Sequence, residues 1–298
     1  MNPVDDHWPT PTGKRIALPS GVCHYREAGE GRPTIVLLHG LATDSRIYGR
    51  LQLLLAESAH TVAPDLLGWG FSEPNEGLAF SFDTVDRTVA QFIEARGLED
   101  VVLVGHEMSG PAAIRWAAAN PGRTRGLVLL NTYYGWNSAR MPPVLKVLHA
   151  PIVGGVLQLA IGALRTVLFD RLYRWQIGRV WAAQTPLSDA LTRTLCETIS
   201  TSAFARRALH RINDELPAQI NANQRRLDML AQLQCRTLIV WGGRDPYLAP
   251  HVARQFRRLI PNSELHLIHD VGHYVQAEAA EDVAGAIGAF VERCRGEG

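Results

Sequence analysis

Three titratable residues stand just past apolar runs and are of types that do chemistry together: Glu107, Asp245 and His273. Glu107 is the centre of VVLVGHEMSG (101–110), which reads as a buried strand entering a sharp turn of small residues. Asp245 closes TLIVWGGRD and His273 closes LHLIHDVGH; the three are separated by 138 and 28 residues. A carboxylate is nucleophilic as soon as it is ionised, whereas a serine at such a turn needs a base to take its proton. A histidine held by a second carboxylate supplies that base, or activates water. The same pair could instead pass a proton with no covalent bond, because a carboxylate beside an imidazole favours the imidazolium. A greasy pocket would push Glu107 towards its neutral form and make it a general acid. A glutamate that opens a helix is also favoured simply by the helix dipole.

The elements needed to hold these residues alternate strand and helix along the front of the chain. TIVLLHG (34–40), the start of TVAPDLLGWG (61–70), VVLVG (101–105) and GLVLLNT (126–132) are short apolar runs ended by turn residues, as buried parallel strands look. Between the second and third, Val85, Val89, Phe92 and Ile93 repeat at helical spacing, with Ser81 or Asp83 as N-cap and Gly97 as C-cap. GPAAIRWAAANPG is an alanine-rich helix stopped at Asn120-Pro121. The alternation then ceases until QCRTLIVWGGRD (234–245) and ELHLIHDVGH (264–273) add two more strands. A last helix carries Val283, Ile287, Phe290 and Val291 on one face. The pattern predicts one α/β domain from residues 1–132 and 231–298, interrupted by a helical insertion over 133–230.

Five segments in order resemble the α/β-hydrolase family, over about residues 22–291. HYREAGEGRPTIVLLHGLATDSRIY looks like its opening hairpin and His-Gly oxyanion loop, and PDLLGWGFSE like its next glycine loop. GHEMSG looks like its nucleophile turn; VWGGRDPYLAP and DVGHYVQAE look like its acid and histidine segments. The resemblance implies the α/β-hydrolase fold, a mostly parallel twisted sheet flanked by helices with an inserted helical cap, and no cofactor. It implies Glu107 in the nucleophile position, with Gly105 and Ser109 as the small residues that let the turn close. The backbone N–H groups of Leu41 and Met108 would form the oxyanion hole, and His273 would be the base held by Asp245. Asp270 is near enough in sequence to take Asp245's place. His39 and His106 are expected to be structural, and Asp65 and Gly68 to shape a loop.

The turn is most similar to that of epoxide hydrolases and haloalkane dehalogenases, which use aspartate to attack carbon. Here glutamate is longer by one methylene, about 1.5 Å. Met108 stands where dehalogenases usually carry a tryptophan for the halide, and Leu41 has no donor in its side chain. Epoxide hydrolases usually hold the epoxide oxygen with two tyrosines of the insertion. Tyr173 fits one, and Tyr133 and Tyr134 are the substitutes for the other. The expectation is an epoxide hydrolase-like enzyme acting on a small hydrophobic substrate. The alternatives are a lyase, cyclase or isomerase using Glu107 and His273 as an acid–base pair, and a ligand-binding protein whose serine or aspartate site was disabled naturally or by engineering.

Composition narrows the partners. With a formal net charge of +1 and no basic stripe among aromatics, nucleic acid is not expected. The apolar fraction of 46% and charged fraction of 20% are those of a soluble globular protein. Cys23, Cys196, Cys235 and Cys294 are scattered without a CxxC pair and read as reduced thiols, not metal ligands. The polar, proline-rich start lacks the apolar stretch of a signal peptide, so a cytoplasmic location is expected. The most apolar run, residues 150–169, is broken by Pro151, Gly154 and Gly155, and reads as a helix covering a core or cavity, not as a stable membrane insertion. A homodimer is left open.

Overall fold

The structure, a computed structural model, describes residues 12–135, 167–182 and 187–296, with backbone alone at 167–170, 172, 173 and 200. Nine strands form one sheet: β1 (Gly13–Leu18), β2 (Gly21–Ala28), β3 (Thr34–Leu38), β4 (His60–Pro64), β5 (Glu73–Pro74), β6 (Val101–Glu107), β7 (Thr124–Thr132), β8 (Arg236–Gly242) and β9 (Ser263–Ile268). Their order is β1-β2-β4-β3-β6-β7-β8-β9, with β5 on the edge of β2. Pairing is antiparallel for β1–β2, β2–β4 and β2–β5, and parallel from β4 to β9.

All six runs read as strands appear, as β3, β4, β6, β7, β8 and β9, the last of them only partly buried. The expected opening hairpin lies one strand earlier than HYREAGEGRPTIVLLHG suggested. β2 pairs with β1 and β4, not with β3. The fully apolar β3 is drawn instead between β4 and β6, where both of its faces are covered.

Helices cover the sheet: α1 (Gly49–Leu55), α2 (Phe82–Ala95), α3 (Gly110–Ala119), α8 (Pro250–Leu259), α9 (Val275–Glu278) and α10 (Ala280–Arg295). α2 starts as predicted: the Ser81 hydroxyl accepts from the Thr84 N–H, and Asp83 sits in the first turn where the dipole favours it. Its Val85, Val89, Phe92 and Ile93 are all buried. α10 buries Val283, Ile287, Phe290 and Val291 as its spacing required. Side chains such as Val102, Val104, Leu127 and Leu129 are wholly enclosed. At about 1.5–3 kcal/mol for each such side chain, this core makes a rigid platform for whatever the strand ends carry.

Between β7 and β8 the described residues form helices only: α4 (Val167–Val180), α5 (Asp189–Thr201), α6 (Ala203–Gln224) and α7 (Asp228–Ala231). They are fastened to the sheet through a charge network around the buried Asp44. Asp44, in the loop after β3, accepts from Nε and Nη2 of Arg46, and Arg46 also donates to the Thr194 carbonyl and to Glu197 on α5. The Thr198 hydroxyl donates to the same Asp44 carboxylate. Most of the apolar run at 150–169 lies outside the described residues. No helix among the described residues is long and apolar enough to cross a membrane.

Candidate active site

Glu107 ends β6 in a left-handed backbone conformation, φ 49°, which costs an L-residue about 1–2 kcal/mol. The surrounding packing leaves the chain no room to relax. A Cβ on Gly105 would lie 2.8 Å from the Gly110 Cα, and one on Gly110 would lie 2.0 Å from the Thr132 hydroxyl. α3 can therefore start immediately above β6 and β7 only because both positions are glycine. Ser109 is fully buried: its hydroxyl accepts from the His106 N–H and is 2.7 Å from the Leu38 carbonyl. It is a fastening of the turn, as its position two residues past Glu107 suggested. Thr132, at the end of β7, donates to the Glu107 carbonyl at 2.6 Å.

This turn aims the carboxylate at two backbone donors. Oε2 of Glu107 accepts from the Leu41 N–H at 2.7 Å and from the Met108 N–H at 2.6 Å. The pair expected to form an oxyanion hole is present, and it is filled by an oxygen of the protein itself. His39 braces one side of that hole: its Nδ1 lies 2.8 Å from the Gly40 carbonyl while Nε2 accepts from the Leu66 N–H. The remaining oxygen, Oε1, has no hydrogen-bond partner among the described residues.

His273 and Asp245 complete the set. Nδ1 of His273 is 2.7 Å from Oδ2 of Asp245, and both residues are buried. Asp245 is held by the N–H groups of Tyr247 and Leu248 on Oδ1, and by the Asn131 amide on Oδ2. Asp270, the other carboxylate near His273 in sequence, is exposed and pairs with Arg244. The choice between the two carboxylates therefore falls on Asp245. Asn131 was missed by the sequence reading; its side chain also accepts from the Gly242 N–H, tying β7 to β8 beneath the site. The one available signal was an amide closing an otherwise apolar strand.

The charges perturb one another. Burial pushes the Glu107 carboxyl above its ordinary range, against the opposing pull of His273 and the two N–H donors. Burial disfavours the His273 imidazolium, but the charge and hydrogen bond of Asp245, followed by the charge of Glu107, outweigh it and raise the pKa. Asp245 is desolvated too, yet His273 and its hydrogen bonds hold it below the ordinary carboxylate range. His106 is lowered to about 3, chiefly by burial and then by His273, and is neutral. Its Nε2 faces the His273 carbonyl at 3.0 Å, a structural role, as expected.

The expected substrate tyrosines separate. Tyr133 is buried where the charge of Glu107, after burial, raises its phenol well above the usual pKa. Tyr134 is not brought to Glu107: its hydroxyl meets the Met229 sulfur at 3.4 Å, because successive residues leaving β7 point to opposite sides. The Tyr173 side chain lies outside the described residues. Tyr247 was not anticipated and packs edge-on against the His273 ring, with centroids 5.8 Å apart. Among the described residues no group of His, Cys, Asp or Glu could hold a metal ion, and the four cysteines are free and buried.

The profile of the α/β hydrolase fold matches residues 33–280. The chain belongs to the α/β-hydrolase fold family. Among curated relatives of this α/β hydrolase is a 2-hydroxy-6-oxononadienedioate/2-hydroxy-6-oxononatrienedioate hydrolase of Pseudomonas putida, 31% identical over 266 residues and covering 87% of each chain. Another is haloalkane dehalogenase 2 of Mycobacterium tuberculosis, 29% identical over 276 residues and covering 90% of each. Among solved structures, the ligand-free epoxide hydrolase CorEH superposes with a TM-score of 0.76 at 21% identity, over 95% of this chain and 99% of that one. At that identity the likeness is one of fold.

Proposed function

We propose that this α/β hydrolase uses Glu107 to attack an electrophilic carbon of a small hydrophobic substrate, an epoxide by preference, and His273 to hydrolyse the resulting ester. The observation that carries the reading is Oε2 of Glu107 seated between the N–H groups of Leu41 and Met108. A substrate whose own carbonyl oxygen must enter the hole meets the enzyme's oxygen there. This argues against the carbonyl chemistry suggested by the 6-oxo group in the name of the P. putida relative's substrate. Attack on saturated carbon has no such conflict.

In the first step Oε1 bonds to the epoxide carbon while the carbon–oxygen bond of the ring breaks. The hydroxyl of Tyr133, kept protonated by burial and by the neighbouring negative charge, donates to the departing oxygen. In the second step His273, oriented by Asp245, takes a proton from water, and the hydroxide attacks Cδ of Glu107. The negative charge that forms on Oε2 is already between its two donors, which is where preorganised stabilisation is worth most. The bond between Cδ and Oε1 then breaks, and Oε1 leaves in the diol with the proton that His273 took from water. The second water proton passes from the new Glu107 acid to the Tyr133 phenolate, which restores the carboxylate with one oxygen from water. The helices between β7 and β8 act as a cap that keeps bulk water from the ester.

The name of the M. tuberculosis relative implies the same attack on carbon with halide as leaving group. Met108 and Leu41 offer no side-chain donor to a halide, which favours the epoxide. Replacing His273 with glutamine tests the proposal: after exposure to a turned-over epoxide, intact mass should show stoichiometric addition of one substrate mass, located on the peptide carrying Glu107. An unmodified peptide under conditions where wild type turns over would refute covalent attack. The raised carboxyl pKa of Glu107 favours the second reading, in which Glu107 and His273 only shuttle a proton.

A further inference from the structure

The residues around His273 are held by a carboxylate that takes no part in the steps above. Glu278, on the short helix α9, accepts through Oε2 from the Gly272 N–H at 2.9 Å and from the Ala182 N–H at 2.8 Å. Through Oε1 it accepts from the Tyr274 N–H at 3.0 Å. Gly272 and Tyr274 flank His273, and Ala182 lies two residues beyond the end of α4. Between the two flanking residues, the N–H of His273 itself donates to the Val180 carbonyl at 3.0 Å. The docking is close: a Cβ on Gly272 would lie 2.0 Å from that carbonyl oxygen and 3.0 Å from the Ala182 nitrogen. Three consecutive backbone N–H groups are thus satisfied jointly by Glu278 and by the segment 180–182.

We infer that Glu278 is a positioning residue that couples His273 to the helical insertion, so that the imidazole is held in its working place only while the segment 180–182 is docked. A backbone N–H that loses its acceptor is left unsatisfied, so withdrawing 180–182 destabilises the histidine loop directly. The charge of Glu278 is a further contribution to the raised pKa of His273, after Asp245 and Glu107. The rings of His106, Tyr247 and Tyr274 complete the surroundings of the imidazole.

The catalytic part of this inference rests on the reading of His273 as the water-activating base. Glu278→Gln is the informative variant, because it keeps size and shape. Three N–H donors meet two oxygens, so either rotamer of the amide turns its NH2 towards at least one of them. Two measurements need no substrate. The imidazole titration of His273, followed by ¹⁵N NMR, should move to lower pH in the variant. Amide exchange should quicken together in the peptides spanning 180–182 and 271–275. In single-turnover kinetics, hydrolysis of the Glu107 ester should slow by about 10-fold or more while its formation changes by less than about 2-fold, as expected when one catalytic group is displaced. An unchanged titration with unchanged exchange would overturn the inference, and so would equal slowing of both steps. If wild type forms no Glu107 ester, the functional reading falls, while the titration and exchange data still decide whether Glu278 couples the two segments.

Discussion

At the scale of single residues the site is governed by which oxygen of Glu107 is occupied. Glutamine at 107 can still place its carbonyl oxygen between Leu41 and Met108 but has no nucleophilic oxygen to offer. Glu107→Gln should therefore lower kcat by about 10³-fold or more with substrate binding retained, measured by steady-state kinetics and equilibrium binding. The same variant tests stability. A carboxyl whose folded pKa is raised favours the protonated form, so its ionisation weakens the fold as pH rises past that pKa. At neutral pH Glu107→Gln should raise Tm by a few degrees, and the gain should vanish in acid. Asp245 has the opposite sign: its depressed pKa contributes stability above about 3.8, lost as pH falls through the folded value. The raised pKa of His273 contributes stability below about 6.5, lost as pH rises through the folded value. The rates separate in the same way. Ester formation needs ionised Glu107 and should follow an apparent pKa above the ordinary 4.5. Ester hydrolysis needs neutral His273 and should rise with pH as the imidazole loses its proton, at a lower pH than in the free enzyme because the ester no longer carries the Glu107 charge that raises it. Both limbs can be read from rapid-quench profiles. Glu107, Asp245 and His273 were legible because each follows an apolar strand. Asn131 and Glu278 were not, since their partners, the Asp245 carboxylate for Asn131 and backbone N–H groups for both, are brought near only by the fold.

At the scale of elements, two contacts decide whether the site is assembled. The first is the approach of α3 to β6 and β7 at Gly110. Gly110→Ala forces a methyl into the Thr132 side chain and should cost about 1–3 kcal/mol in chemical denaturation, with activity falling as Glu107 shifts. The second is the anchor between Arg46, Asp44 and α5. Arg46→Ala leaves the buried Asp44 carboxylate without its cation. The expected cost is about 3–5 kcal/mol, with faster proteolysis in α5 before global unfolding. Helix α2 could be read almost to the residue because caps and spacing are local signals. β1 and β5 could not. GKRIAL lies on the edge with four of its six residues exposed, and β5 is two residues long, so neither carries an apolar pattern. The hairpin was misplaced for a related reason: strand pairing is a tertiary choice, and β3 takes a place where β4 and β6 satisfy both its edges and both its faces are buried.

At the scale of the molecule, the parallel part of the sheet gathers residues 107, 131–133, 245 and 273 at one end of its strands, where a doubly covered sheet leaves its crevice. The alternation of strand and helix made this arrangement readable, and the match to the α/β hydrolase fold over residues 33–280 agrees with it. Substrate choice is less legible, because the side chains that shape a pocket come from helices whose packing no short motif specifies. Fold membership alone leaves the reaction open, and the proposed reaction stands or falls on a bond between Glu107 and carbon. One turnover in ¹⁸O-water with enzyme in excess, followed by digestion and mass measurement of the peptide containing Glu107, tests it most directly. Covalent attack gives a gain of one ¹⁸O in that peptide and an unlabelled first-turnover diol, whose new oxygen came from Oε1. Label in the diol with none in the peptide would contradict it.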